Sequence, residues 1–379
     1  VTKEWPPAVY GGAGVHVVEL TQALRAVDGV NVDVHCFGGP RTDGAFGYDT
    51  PSEFSSANPA LQAIATDLLI ANNLGNVDVI HSHTWYANMA GHTASLLYGT
   101  PHIVSAHSLE PLRPWKAEQL GGGYQISSWA EKTSYEAAAA IIAVSDGMRA
   151  DVLAAYPDVD PKKVVTIRNG VDTSEFAPNN NPAVLEEFGI TGRYAMFVGR
   201  ITRQKGLAHL LRAWKSVPAE YGLVLAAGSP DEETVGNEVA ALIAELQATR
   251  SNVWWIKEML PHDKLTAALT QADLFLCPSI YEPLGIVNLE AMGCETAVLA
   301  SRVGGIPEVV SHQETGILVD YTPDHSRFEA DLTAAISELM ADPARLEKYG
   351  KAGRVRAETH FGWDAVAQQT ISLYRSVIS

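Results

Sequence analysis

Cysteine is scarce in this sequence: Cys36, Cys277 and Cys294 are the only three in 379 residues. None stands at the short spacing of a zinc-ligand or redox pair, and all three have apolar neighbours. That argues against a disulfide framework or a cysteine metal site, and a reducing, cytoplasmic setting is expected. Basic residues are in deficit, 27 Lys and Arg against 44 Asp and Glu, for a formal net charge of -17. A field of that sign repels nucleic acid and anionic membranes, so neither is an expected partner and any phosphate chemistry must rest on local basic clusters. Long apolar runs are missing too. The longest, Ala137 to Val144, falls far short of the roughly 20 residues that cross a bilayer, and no charged-then-apolar leader opens the chain. There is no short repeat, no low-complexity tract and no initiator methionine. The strand that should feed the first glycine-rich turn is reduced to Val1–Glu4 before Pro6 and Pro7, so a few residues of it are expected to precede Val1.

What the chain does have is length and alternation. At 379 residues, against roughly 100–200 for a typical domain, two domains are expected, with enough chain for a large core. Strand-like apolar runs at 30–37, 77–81, 102–106 and 140–144 alternate with helical stretches such as 61–72 and 127–139. A second series follows at 194–198, 223–227, 253–256, 274–277 and 297–300. This alternation predicts an α/β protein with two doubly wound parallel sheets. The turn-rich Arg168–Asp172 and the polar Pro178–Pro182 mark the division, giving domains over 1–172 and 173–362. From Phe328 onward the chain reads as mostly helical and ends in an amphipathic segment, Trp363 to Val377, able to pack on either domain.

The most informative stretch, Tyr281 to Gly293, sets two carboxylates, Glu282 and Glu290, eight positions apart across a strand-to-helix turn. Asp273–Cys277 supplies the strand, Pro278, Pro283 and Gly285 punctuate the loop, and Val287 onward is helical. Both acids then lie at the carboxyl edge of a sheet, where open α/β folds bind ligands and an acid commonly takes ribose or sugar hydroxyls. The alternative is an ordinary turn, with Glu290 complementing a helix dipole. A basic counterpart, Gly199 to Gly206, places Arg200, Arg203 and Lys205 directly after the strand ending at Val198. This is either a solvated turn or a diphosphate clamp, in which Arg and Lys stabilise the charge growing on a departing nucleoside diphosphate. At the amino end, Tyr10–Gly14 precedes a helix from Val15 to Ala26. Its glycines either bring backbone amides close to an anion or make a tight connection; the dinucleotide-binding spacing is not met.

Three further patterns carry less. His81-Ser-His83 has no third ligand near in sequence, Asp158-Val-Asp160 reads as a solvated loop, and Ser105-Ala-His107-Ser108 lacks the glycine-flanked elbow of a hydrolase. No metal site is expected.

With these features in view, the chain resembles retaining glycosyltransferases of the GT-B fold, nearly from end to end. Within them it is similar to the actinobacterial glycogen synthase and alpha-maltose-1-phosphate synthase family. The segments that carry the likeness are Tyr10–His16, His81–Trp85, Ala106–Lys116, Gly199–Gly206 and Glu282–Glu290. The resemblance implies two facing Rossmann-like domains, acceptor mainly on the first and donor mainly on the second, with a crossover helix over 363–379 returning to the first. It implies a retaining alpha-1,4-glucosyltransferase of glycogen or alpha-glucan biosynthesis, working without a cofactor. The donor would be ADP-glucose or UDP-glucose, and the acceptor glucose 1-phosphate or an alpha-glucan.

By the same resemblance, Glu290 would bind the donor ribose and Glu282 the transferred glucose. Arg200 and Lys205 would hold the diphosphate, joined by amides at Gly11 and Gly12 and in the Leu284-Gly285 turn. His107 would position the sugar beside its anomeric carbon, completing a catalytic set of His107, Arg200, Lys205 and Glu282. One departure stands out: the lysine that precedes the paired glycines in many bacterial starch and glycogen synthases is replaced here by Ala8-Val9-Tyr10. That weakens the transfer of polysaccharide acceptor chemistry and directs attention to Arg113 and Lys116, a basic segment near His107. These are either contacts for a phosphorylated acceptor or a solvated helix start.

No acid is left over as a nucleophile, so a front-face displacement is expected in which the leaving phosphate oxygen takes the acceptor proton. Rival classes fare worse. A glycan phosphorylase needs a lysine holding pyridoxal phosphate, for which there is no motif. A non-catalytic two-lobed sugar-binding protein has little use for a diphosphate clamp. An NAD oxidoreductase lacks its glycine spacing.

Overall fold

The structure is a computed structural model describing residues 1–9, 11–113, 116–117 and 121–378. Tyr10, Pro114 and Trp115, quoted in the motifs above, lie outside the described residues. Two compact units divide the chain, Val1–Asn169 together with Trp363–Ser379, and Gly170–Gly362.

In the first unit β1 (His35–Phe37) and β2 (Phe46–Tyr48) form a parallel pair. A four-stranded parallel sheet follows in the order β3 (Ile80–His83), β4 (His102–Ala106), β5 (Ala140–Ala143), β6 (Val164–Thr166). Val1 and Thr2 join the two. Thr2 N donates to His35 O at 3.0 Å, and on the opposite side His83 N donates to Val1 O at 3.0 Å. The two residues thus act as a minimal strand. The strand expected over 30–37 is confined to 35–37, the three residues that pair in register with β2. Strands β2 and β6, three residues each, are too short to declare a period of their own. All five residues of β4 are buried, including His102 and Ser105, as for a parallel strand covered on both faces. The carboxy-terminal helix, Trp363–Ile378, packs Trp363, Val366, Ala367 and Ile371 against Leu20, Leu24, Ile103 and Ile142 of this unit.

The second unit is a six-stranded parallel sheet built from β7 (Tyr194–Val198), β8 (Gly222–Ala226), β9 (Val253–Ile256), β10 (Leu274–Cys277), β11 (Ala297–Ser301) and β12 (Gly316–Val319), in the order β12-β11-β10-β7-β8-β9. Phe197, Leu225, Leu276 and Leu299 of its strands share one core with Trp214, Phe328 and Leu332 of the covering helices. The chain winds outward from β7 to β9, then returns to β10 beside β7 and winds the other way. The loops after β7 and β10 therefore part company above one crevice, the switch point where such sheets hold ligands. The three cysteines are free and buried, and no described helix is long and apolar enough to cross a membrane.

Candidate active site

The basic and acidic motifs of the second unit follow these two central strands. Beyond Val198 the chain passes Arg200 and enters one helical turn, Arg203–Lys205, capped by Thr202, whose Oγ accepts from Lys205 N at 3.3 Å. Gly206 ends that turn with φ +65°, and a Cβ there would overlap the Pro278 carbonyl oxygen. Only glycine lets the two backbones approach so closely. Ile280 N donates to Gln204 O at 2.9 Å, fastening the loop after β10 to the loop after β7.

Lys205 and Glu282 meet across that seam. Nζ lies 2.7 Å from Oε2, and Ser279 Oγ donates to the same oxygen at 3.1 Å. Burial opposes the Lys205 charge, but the Glu282 carboxylate outweighs it and holds the amine above the usual lysine range. Behind Glu282 its carbonyl accepts from Gly305 N at 3.0 Å, so the loop is gripped on both sides. Leu284 is buried, and Gly285, with φ +93°, turns the chain into the helix Ile286–Gly293. The first amides of that helix have no intrahelical partner and carry its positive end. Glu290 sits one turn further on, where burial lifts its pKa to about 7 while Lys205 and His262 pull it back down. Arg200 is half exposed and pairs with Asp231 at 2.7 Å; Arg203 pairs with Glu232 at 3.0 Å. The fold thus gathers Arg200, Lys205, Glu282, Leu284, Gly285 and Glu290 at one sheet edge. Met259, in the loop after β9, is exposed.

In the first unit Gly11 caps the helix Gly12–Arg25, and its amide donates to Glu4 Oε2 at 2.9 Å. An internal carboxylate, which the sequence reading missed, therefore already answers part of the glycine turn; Gly12 is exposed beside it. His107 follows β4 and meets His83 at the end of β3, Nε2 to Nδ1 at 3.0 Å. His16, from the second turn of the first helix, packs edge-on to His107 with ring centroids 4.7 Å apart. One nitrogen from each of these three rings lies within 4.8 Å of the others. The partners that His81-Ser-His83 lacked in sequence come from distant segments, and they assemble on His83. His81 is otherwise engaged, 2.7 Å from Tyr374 Oη and 2.8 Å from Ser105 Oγ, which also accounts for the candidate nucleophile. Burial holds His16 down to about 4 and keeps His83 and His107 well below the ordinary range, so these rings are neutral. The Asn169 amide lies near the His16 ring but outside good hydrogen-bond geometry.

The basic segment divides. Arg113 Nη2 is 2.5 Å from Oε1 of Glu110, a fully buried acid that also accepts from Ser127 Oγ at 2.7 Å. Glu110 N donates to Glu131 Oε1 at 2.8 Å, and burial raises the Glu131 carboxyl to about 8. Arg113 is thereby bound into the fold. Lys116 is half-buried and close enough to Lys3 for the two cations to oppose each other, with Lys3 Nζ 3.7 Å over the Tyr86 ring. Sequence reasoning had assigned Lys3 no role. Asp160 caps the turn at Lys162 N at 2.9 Å, and among the described residues neither it nor Asp158 belongs to a cluster of ligating groups.

Two family models match the chain, Glycosyltransferase Family 4 over residues 10–175 and Glycosyl transferases group 1 over residues 186–356. An alpha-maltose-1-phosphate synthase of Mycolicibacterium smegmatis is 52% identical over all of this chain and 98% of its own length. A glycogen synthase of Mycobacterium tuberculosis is 27% identical over 99% of this chain and 93% of its own. Among solved structures, a sucrose-phosphate synthase from Thermosynechococcus elongatus superposes with a TM-score of 0.79 at 24% identity, covering 97% of this chain and 94% of that one.

Proposed function

This chain belongs to the GT-B glycosyltransferases in which a family 4 half precedes a group 1 half, and we propose that it moves glucose from ADP-glucose to O4 of glucose 1-phosphate, with retention, in alpha-glucan synthesis. The Lys205–Glu282 pair at the switch point of the second unit carries the donor reading. Its amine faces the diphosphate, and its carboxylate takes hydroxyls of the transferred glucose. Glu290 takes the ribose hydroxyls, and the amides after Leu284-Gly285 take phosphate oxygens. The full-length likeness to alpha-maltose-1-phosphate synthases supports the acceptor reading, with Lys116 and Lys3 supplying cations for the phosphate.

Glu282 is held by Lys205 and Ser279, which leaves it poorly placed to attack an anomeric carbon. A front-face displacement fits that commitment. The bond from C1 to the diphosphate oxygen breaks, the bond from C1 to acceptor O4 forms on the same face, and the O4 proton passes to the leaving phosphate oxygen. Arg200 and Lys205 stabilise the charge that develops there. Arg200 must exchange Asp231 for phosphate as the donor enters. His107, neutral, offers a ring nitrogen to a sugar hydroxyl and sets its direction.

The test is direct: purified enzyme, ADP-glucose or UDP-glucose with label in the glucose, and either glucose 1-phosphate or glycogen. Labelled maltose 1-phosphate is the expected product. Label found only in polymer at millimolar glucose 1-phosphate would make this a glucan-elongating enzyme instead.

A further inference from the structure

We propose that His16, His83 and His107 form a binding site for a divalent transition-metal ion, zinc above all, and that an ion held there stops turnover. The three rings come from separate rigid elements: the helix Gly12–Arg25, the end of β3 and the loop after β4. Nδ1 of His83 and Nε2 of His107 are 3.0 Å apart. Two nitrogens on one tetrahedral zinc stand roughly 3.3 Å apart, given bonds near 2.0–2.1 Å, so this pair is almost at chelating separation. The third nitrogen, from His16, lies within 4.8 Å of both. Closing that gap takes a ring movement of roughly 1.5 Å.

His16 supplies the second observation. Both its ring nitrogens are buried and make no well-formed hydrogen bond, with the Asn169 side chain lying near them, and native interiors ordinarily resolve such a state with a water or an ion. The ring is 2% exposed, and that of His83 5%, so an ion would displace little solvent. The donors are all nitrogen, with neither carboxylate nor thiolate among the three. That set suits zinc, nickel or copper and disfavours magnesium and calcium, which take oxygen. Outer support is present: His81 packs tilted against His83 with ring centroids 4.2 Å apart and is itself fixed by Tyr374 and Ser105, while Trp363 lies edge-on to His16 at 5.5 Å. Three ligands leave a fourth position for water or a sugar hydroxyl.

Metal binding stands on this geometry alone; the block on turnover rests also on the acceptor-side role proposed for His107. The experiment therefore reads the two separately. Enzyme stripped of metal is titrated with cobalt(II) and followed by its visible absorption, with zinc as competitor and magnesium as control. One equivalent of cobalt in a nitrogen-rich four-coordinate site is expected, displaced by zinc and unaffected by magnesium. His16→Gln and His83→Gln should each weaken binding by roughly 100-fold or more while keeping the parent's circular dichroism and thermal transition. Zinc should lower turnover of the parent, EDTA should restore it, and both variants should resist. A cobalt signal that is absent, or that survives both substitutions, overturns the site. Binding at these histidines with turnover untouched overturns the block and, with it, the role given to His107.

Discussion

Lys205 and Glu282, 77 residues apart in sequence, are joined by a 2.7 Å ion pair with side chains 19% and 9% exposed. So enclosed a pair behaves unlike a surface salt bridge, because deleting one partner strands the other's charge in a poor solvent. Lys205→Ala is expected to lose about 3–5 kcal/mol of stability and about 100- to 1000-fold in turnover. Adding Glu282→Gln should recover part of the stability and none of the activity. Urea unfolding and steady-state rates on the single and double variants check both halves; a Lys205→Ala protein as stable as the parent would sink the argument.

Arg200 should behave in the opposite way. Its side chain is 46% exposed and its pair with Asp231 is a surface one, worth at most about 1 kcal/mol. Arg200→Ala is expected to keep the parent's thermal transition and still lose about 100-fold or more in turnover. Near-parental turnover would remove Arg200 from the diphosphate site.

Glu290 gives the donor site a pH dependence of definite sign. Burial raises its carboxyl from 4.5 to about 7, so between those values the native chain holds a proton that the unfolded chain has lost. This contribution to the stability of the ligand-free enzyme is therefore fully present below about pH 4.5 and fades as pH rises through about 7. Ribose hydroxyls donating to Glu290 need the carboxylate. Donor binding below pH 7 should then release a proton, with affinity climbing up to about tenfold per pH unit before levelling. Calorimetry in two buffers of different ionisation heat measures the proton count. Glu290→Gln should show none, and an identical proton release in that variant would place the titrating group elsewhere.

The two cations of the acceptor segment should separate cleanly. Lys116→Ala is expected to raise KM for glucose 1-phosphate about tenfold or more, with KM for the sugar nucleotide and the thermal transition unchanged. Arg113→Ala leaves fully buried Glu110 without its partner and should cost about 3–5 kcal/mol of stability. Equal loss of acceptor affinity in two equally stable variants would put both residues on the phosphate.

Much of this was legible one residue at a time. Strands 102–106, 194–198, 253–256 and 274–277 begin and end where their apolar runs do, because buried parallel strands need only a local run bounded by turns. Two strands of three residues, and β12, left no such trace. For Arg113 the sequence leaves a phosphate contact and a solvated helix start both open, and its pairing with Glu110 three residues before it is not foreseen, because exposure cannot be read from composition: a solvated acid and a buried one look alike in sequence. Nothing local marks His16, since its partners stand 67 and 91 positions away.

What the sequence determined by itself was local: the period of each run, the glycines at Gly206 and Gly285 where φ turns positive, and the residue types available at each strand's carboxyl end. Short-range sterics and hydrophobic burial dictate these, and both act over a few residues. Which of those groups would meet was decided only by tertiary structure. The placing of β10 against β7 joins Lys205 to Glu282, and the neighbouring of β3 and β4 delivers His83 to His107. Charge and lone-pair energies depend on separation and on the exclusion of water, and neither exists until the sheets have formed.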